Sequence, residues 1–121
     1  MEGFPGELGV RQESAGEGRA RLSLDAREEH LNQAGTLHGG ILATLADAAM
    51  GAAARSTRDD DEAPATSQLS IAFLSAGHAG RLVAEASVRK QGDQVLLCEA
   101  DVEQDGKTLV HAVATFAVLQ R

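Results

Sequence analysis

The sequence predicts an α+β fold in which one long helix lies across an antiparallel sheet of five to six strands. Three observations predict it. A strand-like run precedes the one long helical segment, four strand-like runs follow that segment with no further helix, and Gly or Asp turn chemistry separates those runs. Strands that follow one another directly pair antiparallel, whereas alternating strands and helices would have meant a doubly wound parallel sheet.

The elements follow in order. An opening strand covers Gly9 to Ser14 and turns at Ala15 to Glu17; then Ala20, Leu22 and Leu24 alternate with Arg19, Arg21 and Ser23, the period of a half-buried strand. From Arg27 to Leu37 the pattern dissolves into Glu, His, Asn, Gln and Gly, as in a loop. Between Gly39 and Arg55 the larger apolar residues Ile41, Leu42, Leu45 and Ala49 recur at helical spacing, with Ala filling most other positions. So smooth a helix lets a sheet wrap around it. A charged surface loop from Thr57 to Glu62 is closed by Pro64. Strands are then expected at Ala65 to Leu74, Arg81 to Lys90, Val95 to Glu103 and Thr108 to Leu119. They are separated by Ala76-Gly77-His78-Ala79-Gly80, Gly92-Asp93 and Asp105-Gly106, where positive backbone angles are cheap. The last run alternates least, so both of its faces are expected to be partly covered.

The bulk numbers bound what such a chain can do. Its 121 residues suit a single domain spanning 1–121, and 43% hydrophobic with 24% charged residues is an ordinary globular balance. With three Phe and no Tyr or Trp, small side chains must fill the core, and subunit association is expected to add burial. A formal net charge of -7 argues against nucleic acid or an anionic membrane as partner, because phosphate surfaces recruit Lys and Arg. Cys98 is the one cysteine, which excludes an intramolecular disulfide and fits a reducing, cytoplasmic setting. No signal segment and no apolar run of about 18 residues is present.

Candidate chemistry concentrates between Asn32 and Gly51, NQAGTLHGGILATLADAAMG. Asp47 stands among Ala and Leu, where a carboxylate needs either a donor in a cleft or an outlet to solvent. Helical spacing puts Gly40, Thr44, Asp47 and Gly51 near one narrow, mostly uncharged side, suited to a cleft wall. His38-Gly39-Gly40 opens the helix, where the first N–H groups lack acceptors and the dipole is positive. Bare amides there could hold a carbonyl oxygen as it becomes an oxyanion; equally, the glycines could serve a tight turn. A lone His before a helix, such as His38, is more often a structural hydrogen-bonding residue than a base, and no proton transfer is assigned to it.

The joint spacing of Asn32, Gly35, His38-Gly39-Gly40, Leu45 and Asp47 resembles the N-x-x-G-x-x-H-G-G and following L-x-D signature of PaaI-like hotdog-fold thioesterases. The likeness continues through Thr66-Ser67, the strand from Ile71 to Leu74 and the turn Lys90-Gln91-Gly92, from about Leu22 to Val118. The resemblance implies the hotdog fold and hydrolysis of an acyl-CoA to free acid and CoA. It implies Asp47 as general base or nucleophile, the Gly39 N–H as oxyanion donor and Asn32 as positioner of substrate or water. His38 and Gly40 would flank that donor, and Thr66, with Ser67, would assist near the carboxylate. It also implies shared sites, with Asp47 and Thr66 from one subunit and Asn32 and Gly39 from its partner, in a dimer or a tetramer built as a dimer of dimers.

CoA phosphates need a basic cluster, for which Arg89-Lys90 beside Gly92 is the local candidate, with Arg55, Arg58 and Arg81 as alternatives. No cofactor or metal is called for: His30, His38, His78 and His111 lack zinc-site spacing. There is no GxSxG elbow, which excludes an α/β-hydrolase. Relatives often carry a proline where Ser75-Ala76 stands, so the adjoining loop is expected to differ. The family resemblance allows aromatic acyl groups, as in phenylacetic acid degradation, or medium-chain aliphatic ones. Met50, Phe73 and Phe116 are candidates for pocket or core. An alternative is a non-catalytic acyl-CoA binding or sensing module on the same fold, though no DNA-binding segment accompanies it. A hotdog hydratase or dehydratase fits less well, because the catalytic His and carboxylate arrangement of that family is not apparent in this sequence.

Overall fold

The computed structural model describes residues 1–121. A short helix, α1 (Gly3–Glu7), precedes β1 (Arg11–Gly16) and β2 (Arg19–Ala26). The main helix α2 (Gly39–Arg55) is followed by β3 (Glu62–Phe73), β4 (Gly80–Gln91), β5 (Val95–Gln104) and β6 (Lys107–Gln120). The six strands form one antiparallel sheet in the order β1-β2-β4-β5-β6-β3, so β1 and β3 are its edges. No helix is long and apolar enough to cross a membrane.

Alternation sorts the sheet into two faces. Leu22 and Leu24 of β2, Leu82 and Ala84 of β4, Leu96 and Cys98 of β5, and Val110 and Ala112 of β6 point toward α2 and are buried. The helix answers with Leu42, Leu45, Ala46, Ala49, Met50 and Ala53. Alanine gives it strong helical propensity and a slim profile, so several strands approach it closely. Its last carbonyls are satisfied by hydroxyls: Ser56 Oγ donates to Ala53 C=O at 2.7 Å and Thr57 Oγ1 to Ala54 C=O at 2.8 Å.

Four expectations need correction. The short α1 was not visible in the sequence, since five residues with two glycines and a proline carry no helical period. The first hairpin turns at Glu17-Gly18 rather than Ala15 to Glu17, because those two residues take the paired positive φ values, 54° and 78°, that a tight hairpin requires. β3 begins at Glu62, so Pro64 lies inside a strand opposite Val118 instead of closing a loop. An edge strand tolerates a proline there. The stretch from Arg27 to Leu37 also contains a 3-10 turn at Glu28–His30, in which the buried His30 accepts the Arg27 N–H through Nδ1 at 2.9 Å. β6 is partly covered on its outer face, as expected: His111, Thr115 and Ala117 are half-buried there and Val113 is exposed.

Candidate active site

Asp47 lies midway along α2, half-buried, and accepts a hydrogen bond from Thr66 Oγ1 of β3 at 2.7 Å. A bulge makes that contact possible. The β3–β6 register shifts between Thr66 and Gln68, leaving Ser67 as the extra residue, so Thr66, opposite Phe116, faces the helix. The Ser67 hydroxyl instead meets Thr115 Oγ1 at 2.8 Å on the outer face. Thr66 and Asp47 therefore come together and Ser67 does not join them.

The pair opens on a cavity of about 810 Å³, ample for an acyl group. Gly51 and Arg55 continue its wall along α2, Phe116 forms its floor, and α1 with Arg121 flanks it. Gly40 and Thr44, placed by helical spacing on the same side as Asp47, do not line it. Thr44 Oγ1 bonds back to the Gly40 carbonyl at 2.8 Å, as a mid-helix threonine often does.

The amino end of α2 is a separate feature. Leu37 N–H donates to Gly77 C=O at 2.8 Å and His38 N–H to His30 C=O at 3.1 Å, which pins the approach to the helix. A Cβ at Gly77 would stand 2.8 Å from the side-chain ends of Leu37 and Leu109 and force them to shift. His38 caps the helix at φ -59° and ψ 135° without a side-chain cap, and its exposed ring is unengaged. Ile41 N–H returns to His38 C=O at 3.1 Å, while the N–H groups of Gly39 and Gly40 meet no acceptor in the chain. Gly39 lies under Phe73, whose ring would be 3.3 Å from a Cβ, and opens on a second cavity of about 450 Å³ that Leu74, Ser75 and Ala76 also line. Gly39 and Asp47 are eight residues, about 12 Å, apart along one helix and face different cavities of the same chain.

Asn32 is engaged within its own loop. Its Oδ1 accepts the N–H groups of Ala34 at 2.9 Å and Thr36 at 3.2 Å, and its Nδ2 donates to Thr36 Oγ1 at 3.0 Å, across a turn in which Gly35 has φ 82°. At the β4–β5 turn, Arg89 is the bulged residue and pairs with Glu99 at 3.3 Å, while Lys90 is exposed without a carboxylate partner. Gly92 donates its N–H to Val95 and accepts Arg58 Nη2 at 2.6 Å. Arg81 is tied to Glu13 at 3.0 Å. Cys98 is fully buried, and burial pushes its thiol up to about 11, which leaves no nucleophile there. Met50 and Phe116 are core residues, Phe116 with one edge on the cavity, whereas Phe73 is 55% exposed. Arg55 and Arg121 had not been placed beside Asp47. The steps from 47 to 51 to 55 along α2 were the signal that could have found Arg55.

One long helix crossing a six-stranded antiparallel sheet is the hotdog fold. The chain belongs to the Thioesterase superfamily, whose family model matches residues 34–111, and its reaction class is thioester hydrolysis. It is similar to the conserved protein PA5202 from Pseudomonas aeruginosa, at TM-score 0.94 and 30% identity over 98% of this chain and 95% of that one. It is similar also to the E. coli PaaI protein from the phenylacetic acid degradation operon, at TM-score 0.88 and 32% identity over 95% of this chain and 83% of that one. Acyl-coenzyme A thioesterase 13 of Homo sapiens is 35% identical over 91 residues, 74% of this chain and 64% of the human protein.

Proposed function

We propose that the protein hydrolyses an acyl-CoA, with an aromatic or medium-chain acyl group, to the free acid and CoA. The observation that carries this reading is the 2.7 Å hydrogen bond from Thr66 to Asp47 on the wall of an 810 Å³ cavity. An ionisable group in an Ala-rich helix is there held by a donor and faces space a substrate can fill. As general base, Asp47 takes a proton from water as the oxygen attacks the thioester carbon. The carbonyl oxygen becomes an oxyanion against the Gly39 N–H, with Gly40 and His38 beside it; collapse expels the CoA thiolate, which receives the proton back from Asp47. As nucleophile, Asp47 would first expel the CoA thiolate and form a mixed anhydride; attack of labelled water on the Asp47 carbonyl of that anhydride would leave the label in its carboxylate, whereas attack on the acyl carbon would place it in the product acid.

The site is shared between two copies in this reading. Gly39 and Asp47 face different cavities of one chain, and β3 leaves a twelve-residue edge with Leu69, Phe73 and Leu74 exposed. A long unpaired edge invites pairing with an identical edge, which a two-fold dimer provides. Such pairing brings one chain's Asn32 and Gly39 toward its partner's Asp47 and Thr66, and two dimers can assemble into a tetramer. Lys90, with Arg89 and Gly92, supplies the phosphate contacts at the β4–β5 turn. Replacing Asp47 by Asn keeps the shape and removes the base; release of free thiol from phenylacetyl-CoA and octanoyl-CoA is expected to fall by about 10² to 10⁴-fold. Undiminished turnover in the folded variant would remove Asp47 from the mechanism.

A further inference from the structure

The cavity that Asp47 opens on is charged at its other end. Of nine arginines, Arg11, Arg21, Arg27, Arg58, Arg81 and Arg89 each have a carboxylate within 4.0 Å. Arg19, Arg55 and Arg121 have none, and two of these three, Arg55 and Arg121, line this one cavity. The chain as a whole carries 18 acidic and 11 basic residues, so two arginines without a carboxylate partner on one cavity stand against its overall charge balance.

We propose that this end of the cavity is a carboxylate subsite, in which Arg55, with Arg121 on the same lining, receives an anionic group at the far end of the acyl chain. The preferred substrate is then an acyl-CoA whose acyl group carries a second, distal carboxylate. The inference rests on the thioesterase reading for the position of the thioester at Asp47. Arg55 follows Asp47 by eight residues, about 12 Å along the helix, and both side chains lean toward the amino end, so that only the greater length of the Arg55 side chain can shorten the gap. A medium-length chain bridges it. Guanidinium is suited to the task because its planar fork meets both oxygens of a carboxylate. Gln12 adds an amide on the same lining, and Gly51, between the two charges, leaves room for the chain. Glu2 is the other acidic side chain of the lining besides Asp47; it stands on the exposed amino-terminal segment. A CoA phosphate is the other anion that could meet Arg55. The pantetheine arm, when extended, is longer than this span, which favours the acyl end.

The test compares suberoyl-CoA with octanoyl-CoA, which differ by the distal carboxylate alone, in the full-length protein and in Arg55→Met and Arg55→Lys. The ratio of kcat/KM, suberoyl over octanoyl, is expected to exceed one in the wild type. It should fall by about tenfold or more in Arg55→Met, the usual loss of a charge-assisted contact, and be partly restored in Arg55→Lys. A ratio that Arg55→Met leaves unchanged overturns the subsite, including the case of equal losses with both substrates that a phosphate contact would give. Binding of the matched non-hydrolysable CoA thioethers, measured by calorimetry, separates the two readings. Selective binding without turnover of either thioester keeps the subsite and sinks the catalytic reading, and turnover without selectivity does the reverse.

Discussion

At the scale of single residues, the site is a problem of satisfying one carboxylate. A charged oxygen among Ala and Leu side chains is costly unless a donor meets it, and Thr66 Oγ1 is the donor in the chain, at 2.7 Å. Thr66→Val removes that donor at nearly constant volume. It is expected to lower kcat by about tenfold, the worth of a hydrogen bond to a charged group, while Thr66→Ser retains most of the activity; thiol-release assays on the three proteins decide it. An unchanged Thr66→Val enzyme would reduce the hydroxyl to a packing role. Asp47 was legible in the sequence because a carboxylate inside an apolar helical period is conspicuous. Thr66 was reachable only through family resemblance, since nothing in its own neighbourhood distinguishes it from Ser67. What separates the two is the bulge at Ser67, a register shift that turns one hydroxyl toward the helix and the other toward Thr115. A bulge leaves no mark in composition or periodicity.

At the scale of elements, the hydrophobic period located α2 and β4 to β6 to within a residue or so, because each sets one face against the core. It failed where burial is weak. All six residues of β1 are exposed, so no alternation exists to phase it, and its turn was misplaced accordingly. That edge is held instead by a polar network. Ser23 Oγ of β2 donates to Glu13 Oε1 of β1 at 2.7 Å, and Arg81 of β4 reaches the same oxygen at 3.0 Å. The Ser23 hydrogen bond first, and Arg81 second, hold the Glu13 carboxyl below its ordinary 4.5. A group whose folded value is depressed stabilises the fold above its unfolded value and loses that contribution as pH falls through the folded one. Denaturant midpoints of the wild type should therefore decline on acidification below about 4.5 more steeply than those of Glu13→Gln, which has no proton to take up there. Parallel acid limbs in the two proteins would show that this network does not couple β1 stability to pH.

For the molecule as a whole, the decisive question is how a helix tip and a mid-helix carboxylate facing different cavities of one chain serve one reaction. In the proposed dimer, a two-fold axis relating the β3 edges of two copies would resolve it by bringing each tip to the other copy's carboxylate. This arrangement makes a quantitative demand on mixed oligomers. Asp47→Asn and Asn32→Ala are each expected to be nearly inactive alone. When equal amounts are unfolded and refolded together, random pairing gives half mixed dimers. In a mixed dimer one site combines both substitutions, and the other combines the intact Asn32 of one chain with the intact Asp47 of its partner. Activity should then recover to about a quarter of the wild-type value, measured as free-thiol release per chain at matched concentration. A site built within a single chain would give no recovery at any mixing ratio, since every copy would carry one lesion or the other.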